Sequence, residues 1–102
     1  MIGVDLVHIP EFQKQLNTGG SAFLRKAFSE NEIRKGDAEH LAGVWAAKEA
    51  VVKAGGLHIE HWTDVQIMYD TSGRPSATVN DEDYDISIAH HGDYAVAVAM
   101  RQ

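Results

Sequence analysis

Three charged side chains, Lys48, Glu49 and Lys53, interrupt the otherwise apolar run LAGVWAAKEAVVKA at residues 41–54. At 3.6 residues per turn they fall within a sector of roughly 140° of a helix. A helix hydrophobic almost all round belongs in a core, and charges on it must be paired or put to use. The run therefore reads as a mostly buried helix carrying one small charged site. A second isolated acid, Asp5, sits in the apolar segment IGVDLV. Aspartate is a poor strand former and needs a partner in such a setting. If segment 2–7 packs on the helix, Asp5 and Glu49 converge. Two carboxylates beside lysines suit Mg²⁺, which keeps several waters and takes one or two carboxylates together with substrate phosphates. The lysines would neutralise those phosphates, and phosphoryl-type transfer asks little of a protein beyond positioning and charge stabilisation. The plain alternative is a surface i,i+4 pair of Glu49 with Lys53, contributing roughly 0.2–0.5 kcal/mol. Residue chemistry alone leaves a metal and phosphate site and a structural ion cluster equally open.

The elements that must position these residues follow from local patterns. Residues 2–7 predict a strand, and Pro10 with Glu11 the first turn of a helix to about Asn17. Residues 18–21 break it, and a short helix runs over 21–28. Ser29 and Glu32 have capping-box spacing for another brief helix that Gly36 ends. Asp37 caps the principal helix, which runs to Ala54, with Gly55 suited to a left-handed C-terminal cap. Beyond it, Val65, Ile67 and Tyr69 alternate with polar neighbours, residues 70–75 turn, and residues 77–79 return as a hairpin. Residues 80–83 turn again before Tyr84, Ile86 and Ile88 alternate, and YAVAVAM at 94–100 makes a last strand. Its alanines imply close packing against a helix of the same chain or against a neighbouring subunit. Helices first and antiparallel strands afterwards predict an α+β fold.

At 102 residues the chain is expected to form one domain, 1–102, with a single modest core. A net charge of −6 and no basic run argue against nucleic-acid binding, although Arg25, Lys26, Arg34 and Lys35 could give one locally positive face. With no cysteine, disulfides, thiolate nucleophiles and cysteine-ligated zinc are excluded. The N-terminal residues lack a basic n-region, and no stretch approaches a membrane span, so the expected location is the cytoplasm. Six histidines include His58 with His61, and His90 with His91. The first pair reads as a solvated loop; His90 stands at a strand end, where binding side chains often sit, although the residues alone favour a hydrogen-bonded structural role there. A zinc site built on His58, His61, His90 and His91 is a third reading of the chain.

Five ordered motifs carry a likeness to a known family: IGVDLV at 2–7, AGVWAAKEA at 42–50 with Lys53, WTDV at 62–65, Asp70 with Gly73-Arg74-Pro75, and SIAH at 87–90 with Tyr94-Ala95. Over nearly its whole length the chain resembles the holo-acyl-carrier-protein synthase family, the short 4'-phosphopantetheinyl transferases. The resemblance implies an N-terminal strand and helices followed by antiparallel strands packed on the long helix. It also implies transfer of 4'-phosphopantetheine from coenzyme A to a serine of an acyl carrier protein, with Mg²⁺ as cofactor and adenosine 3',5'-bisphosphate released. By that likeness Asp5 and Glu49 ligate the metal, Lys53 contacts phosphate, and Lys48 and His90 lie near coenzyme A. Glu49 and Lys53 are then the catalytic pair, with Glu49 or a water taking the serine proton. A homotrimer with active sites between subunits is implied as well.

The chain departs from the family pattern at several places, among them the loop after Gly55-Gly56, which lacks the usual glycine-threonine-glycine pattern, and a somewhat short length. Val44 stands where an arginine is usual, Ala89 where serine is frequent, and Glu11 near the position of an arginine that docks the acidic carrier. An acid at position 11 would repel such a partner. These departures motivate a second reading, a non-catalytic trimeric module that binds coenzyme A or a nucleotide.

Overall fold

Side chains alternating across an extended segment can serve two faces at once, and the N-terminal strand does so. The structure is a computed structural model that describes residues 1–34 and 36–102; Lys35, counted above in the basic cluster, lies outside the described residues. Strand β1 (Ile2–His8) turns Gly3, Asp5 and Val7 inward and leaves Ile2, Val4 and Leu6 exposed. Helix α1 (Ile9–Ala27) follows directly. The break expected at 18–21 shrinks to a kink at Gly20 (φ 57°, ψ −147°), a conformation open to glycine, with helix on both sides. Helix α2 (Glu30–Arg34) opens with the expected capping box: Ser29 N–H donates to Glu32 Oε1 at 2.8 Å, and Glu32 N–H to Ser29 Oγ at 3.3 Å. Helix α3 (Ala38–Gly55) is capped by Asp37, whose carboxylate accepts from His40 N–H at 3.0 Å. Its far end runs one residue past expectation. Leu57 N–H reaches back to the Val52 carbonyl at 3.0 Å, a six-to-one closure that puts Gly56, not Gly55, in the left-handed region.

Four further strands, β2 (Met68–Tyr69), β3 (Pro75–Val79), β4 (Glu82–His91) and β5 (Tyr94–Arg101), complete an antiparallel sheet in the order β1-β5-β4-β3-β2. The fold is α+β, as expected. The strand expected over Val65, Ile67 and Tyr69 is cut to two residues because its backbone groups are used elsewhere. Val65 closes a 3₁₀ turn (Trp62–Asp64) and gives its carbonyl to Lys48, while the Ile67 N–H goes to Glu32 Oε2 at 2.9 Å. Strand β4 runs on through His91, so His90 lies within a paired strand, opposite Ala95.

The alternatives left open for the last strand resolve in favour of the chain's own helix. Ala95, Ala97 and Ala99 are fully buried and, with β1, pack against α3. The approach is closest at Gly3, where a Cβ would overlap the Ala50 carbonyl and the Ala54 nitrogen. Small residues on both sides thus let strand and helix backbones nearly touch. On the other face of the sheet, Ile2 lies opposite Met100 and Val4 opposite Val98; these four, with Leu6 and Tyr94, form an exposed apolar surface. Among the described residues no helix is long and apolar enough to cross a membrane.

Candidate active site

Asp5 faces the same side of β1 as Gly3, two residues further along, so the close strand–helix contact at Ala50 carries it towards Glu49. The two acids meet. Lys53 closes the cluster: its Nζ lies 3.1 Å from Asp5 Oδ1 and donates to the Val4 carbonyl at 3.1 Å. The Asp5 side chain is 11% exposed and that of Lys53 57%, so the acid is enclosed while the cation stays open to a ligand. The plain alternative, an i,i+4 pairing of Glu49 with Lys53, gives way to this Lys53–Asp5 bridge across the strand–helix contact.

Electrostatics follow from the geometry. Asp5 Oδ2 is buried and has no hydrogen-bond partner. Glu49 is half-buried, and its carboxyl is pushed up to about 7, first by burial, then by the hydrogen bond and negative charge of Asp5, with Lys53 opposing. With both acids ionised neither has a donor to offer the other; a protonated Glu49 supplies one. An enclosed and a half-buried carboxylate, one with an orphan oxygen, could hold a hard divalent cation whose remaining positions would go to water or phosphate oxygens. Among the described residues no three His, Asp or Glu side chains gather to hold a metal, so the pair stands without a third protein ligand.

Lys48 corrects an expectation. Although adjacent to Glu49, it points away from the cluster and is fully buried. Its ammonium lies 2.9 Å from Glu32 Oε1 and donates to the carbonyls of Trp62 at 3.0 Å and Val65 at 2.7 Å. Three acceptors use its three hydrogens, leaving none for coenzyme A. Burial pulls its pKa down and Glu32 opposes the shift. Glu32, read from the sequence only as a capping residue, is the counter-ion that sequence reasoning missed; no local pattern links positions so far apart in the chain. Replacing Glu32 by alanine leaves a buried ammonium uncompensated and should destabilise the protein by about 3–5 kcal/mol, measured by urea unfolding.

His90 stands apart from the acids. Its Nε2 lies 3.0 Å from the Glu39 carbonyl, and its ring sits over Gly43, where a Cβ would come 2.9 Å from Nε2. Along α3, Glu39 precedes Glu49 by ten residues and Gly43 precedes it by six, about 15 and about 9 Å of helix. Within one chain the expected site residues therefore form two groups, Asp5–Glu49–Lys53 and His90. His90 lines a cavity of about 710 Å³ together with His40, Ser72, Arg74, Pro75 and Ile88. Arg74 in that wall was present in a quoted motif but had no assigned role. The four histidines of the zinc reading stay dispersed: His90 and His91 point to opposite faces of β4, and His58 and His61 lie in the loop after α3. Of the departures, Val44 is buried, Ala89 is exposed on β4, and Glu11 is exposed with its Oε1 3.7 Å from His8 Nδ1.

Comparison with known proteins agrees with this architecture. Residues 1–99 match the family model described as the 4'-phosphopantetheinyl transferase superfamily. The holo-[acyl-carrier-protein] synthase of Verminephrobacter eiseniae is 34% identical over 97% of the chain and 90% of that protein, and that of Protochlamydia amoebophila 37% identical over 97% and 94%. Among solved structures, the Helicobacter pylori holo-[acyl-carrier-protein] synthase in complex with coenzyme A superposes with a TM-score of 0.91 at 28% identity, covering 100% of both chains. With its sheet, its carboxylate pair and its full-length matches, the chain belongs to the 4'-phosphopantetheinyl transferase superfamily, as an enzyme of the holo-acyl-carrier-protein synthase family.

Proposed function

We propose that the protein transfers 4'-phosphopantetheine from coenzyme A to a serine hydroxyl of an apo acyl carrier protein, releasing adenosine 3',5'-bisphosphate. The observation that carries this reading is the convergence of Asp5, Glu49 and Lys53 on one spot, closed on the Asp5 side and open at Lys53. Asp5 and Glu49 would hold Mg²⁺, which supplies charge neutralisation on the diphosphate. The serine oxygen forms a bond to the β-phosphorus as the bond from that phosphorus to the bridging oxygen breaks; the bisphosphate keeps the electron pair. Lys53, open to solvent and anchored on the Val4 carbonyl, is placed to balance charge on the phosphoryl oxygens. The serine proton passes to Glu49 or to a water beside it, since a carboxylate shared with a metal is a weaker acceptor.

His90 and the cavity beside it take a phosphate-bearing part of coenzyme A in this reading. Because one chain separates His90 from Glu49, a complete site draws on two subunits. The exposed apolar face of β1 and β5 supports such an assembly, a homotrimer, because a contiguous apolar sheet face is the kind of surface that subunits cover. The cytoplasm, where coenzyme A and carrier proteins meet, is the corresponding location.

Incubation with coenzyme A, Mg²⁺ and a panel of apo carrier proteins should add one phosphopantetheine mass to at least one carrier, read by intact-protein mass spectrometry. No mass gain on any carrier would overturn the proposal. The buried Val44 and exposed Glu11 favour one competing reading, a trimeric coenzyme A-binding module without transfer. Calorimetry separates the two, since that module would bind coenzyme A equally well with and without Mg²⁺.

A further inference from the structure

The cavity beside His90 has two walls of unlike construction. One is β4 and α3, where His90 is pinned by the Glu39 carbonyl over Gly43. The other is Ser72, Gly73 and Arg74, in the connection from β2 to β3 at the edge of the sheet, with Pro75 at the start of β3. Strand β2 is two residues long and pairs on one side only, and Pro75, opposite Tyr69, has no N–H to give. This wall gets little order from the ladder. Its order comes from Asp70, whose Oδ1 accepts from Ser72 N–H at 2.9 Å, Ser72 Oγ–H at 2.6 Å and Arg74 N–H at 2.9 Å. Two backbone bonds complete the loop: Gly73 N–H to the Asp70 carbonyl at 3.0 Å, and Asp70 N–H to the Arg74 carbonyl at 3.1 Å. The Ser72 hydroxyl first, and the Arg74 N–H next, hold the Asp70 carboxyl below its ordinary value, so it stays an acceptor under assay conditions.

Asp70 is exposed, and its bonds support no core; what they fix is the place of the wall. We infer that Asp70 is a positioning residue for the co-substrate, its carboxylate holding the wall of Ser72, Arg74 and Pro75 opposite His90 so that a phosphorylated nucleoside is gripped between them. The inference rests on the cavity being the coenzyme A subsite proposed above. The lining chemistry suits that ligand: a guanidinium and a hydroxyl for phosphate oxygens, the Pro75 ring for a base, and an imidazole on the facing wall. Asp70 acts only through these groups, because its carboxylate is already occupied by the loop.

The test compares wild type with Asp70→Ala and Asp70→Asn, varying coenzyme A at saturating apo carrier protein and titrating coenzyme A by calorimetry. Asp70→Ala should raise both KM and Kd for coenzyme A about tenfold while kcat stays within about twofold, the pattern of lost binding rather than lost chemistry. Asp70→Asn keeps the oxygen acceptor and should recover to within about threefold of wild type. An unchanged KM in Asp70→Ala overturns the inference. So does a joint fall of kcat and melting temperature, or an asparagine variant no better than alanine. A wild type that binds coenzyme A without transferring it overturns the proposed reaction but leaves the Asp70 comparison decidable by calorimetry. A wild type that does not bind coenzyme A overturns both.

Discussion

Changing Glu49 to glutamine should cost more than about a hundredfold in kcat/KM, beyond what removing a mere outer-shell partner of a metal costs, yet should raise the melting temperature of the metal-free protein at pH 8. Glutamine keeps the size of the side chain and removes a charge that burial and Asp5 both oppose. The sign follows from linkage: Glu49 has a folded-state pKa of about 7 against an ordinary 4.5, so the folded protein holds the proton more tightly than the unfolded chain. Below the ordinary value both states are protonated and the group costs nothing. As pH rises through that window towards 7 and beyond, the metal-free wild type progressively loses stability. Glutamine does not titrate, so the two melting curves should coincide near pH 4.5 and separate by pH 8. Mg²⁺ at pH 8 should then restore the wild type and leave the variant unmoved, since only a state that binds the ion gains from it. Equal melting temperatures at pH 8, or a variant that retains transfer, would remove Glu49 from the site.

That contrast marks where the sequence was readable. Asp5 and Glu49 could be brought together on paper because each stands alone on an apolar element, whereas the close approach at Gly3 that delivers the contact is visible only in the structure. The Ser29–Glu32 and Asp37–His40 caps were legible because their partners lie three residues apart. Lys48 was misplaced for a definite reason. Around the helix it lies about 100° from Glu49, against about 40° for Lys53, and a helix buried almost all round does not announce which side of that sector meets solvent. Its partner, Glu32, lies on another helix, and one of its two carbonyl acceptors, Val65, comes from a segment that alternation assigned to a strand. The cavity wall was hidden likewise: Asp70 and Arg74 read as an ordinary turn, and only the β3–β4–β5 register puts that turn across from His90.

The separation of His90 from Glu49 also makes the subunit arrangement testable without a structure of the assembly. His90→Ala should lose the grip on coenzyme A, and Glu49→Gln should lose the chemistry, so a preparation of either variant alone has no intact site. If each site takes its carboxylates from one subunit and its imidazole from the next, co-expressed variants regain function. A site is then whole wherever a His90→Ala subunit supplies Glu49 and a Glu49→Gln subunit supplies His90. In a closed ring assembled at random from equal amounts, about a quarter of the sites meet that condition. Transfer activity at subsaturating coenzyme A should therefore rise from near zero to about a quarter of wild type on co-expression, and simple mixing of preassembled variants should give it only as fast as subunits exchange. A charge placed on the apolar face, as in Val98→Lys opposite Val4, should abolish the recovery by preventing assembly. Co-expressed variants that remain as inactive as each alone would mean that His90 and Glu49 serve the same site from a single chain. The stretch of α3 from Gly43, beneath the His90 ring, to Glu49, about 9 Å of helix, would then have to be spanned by the ligand itself.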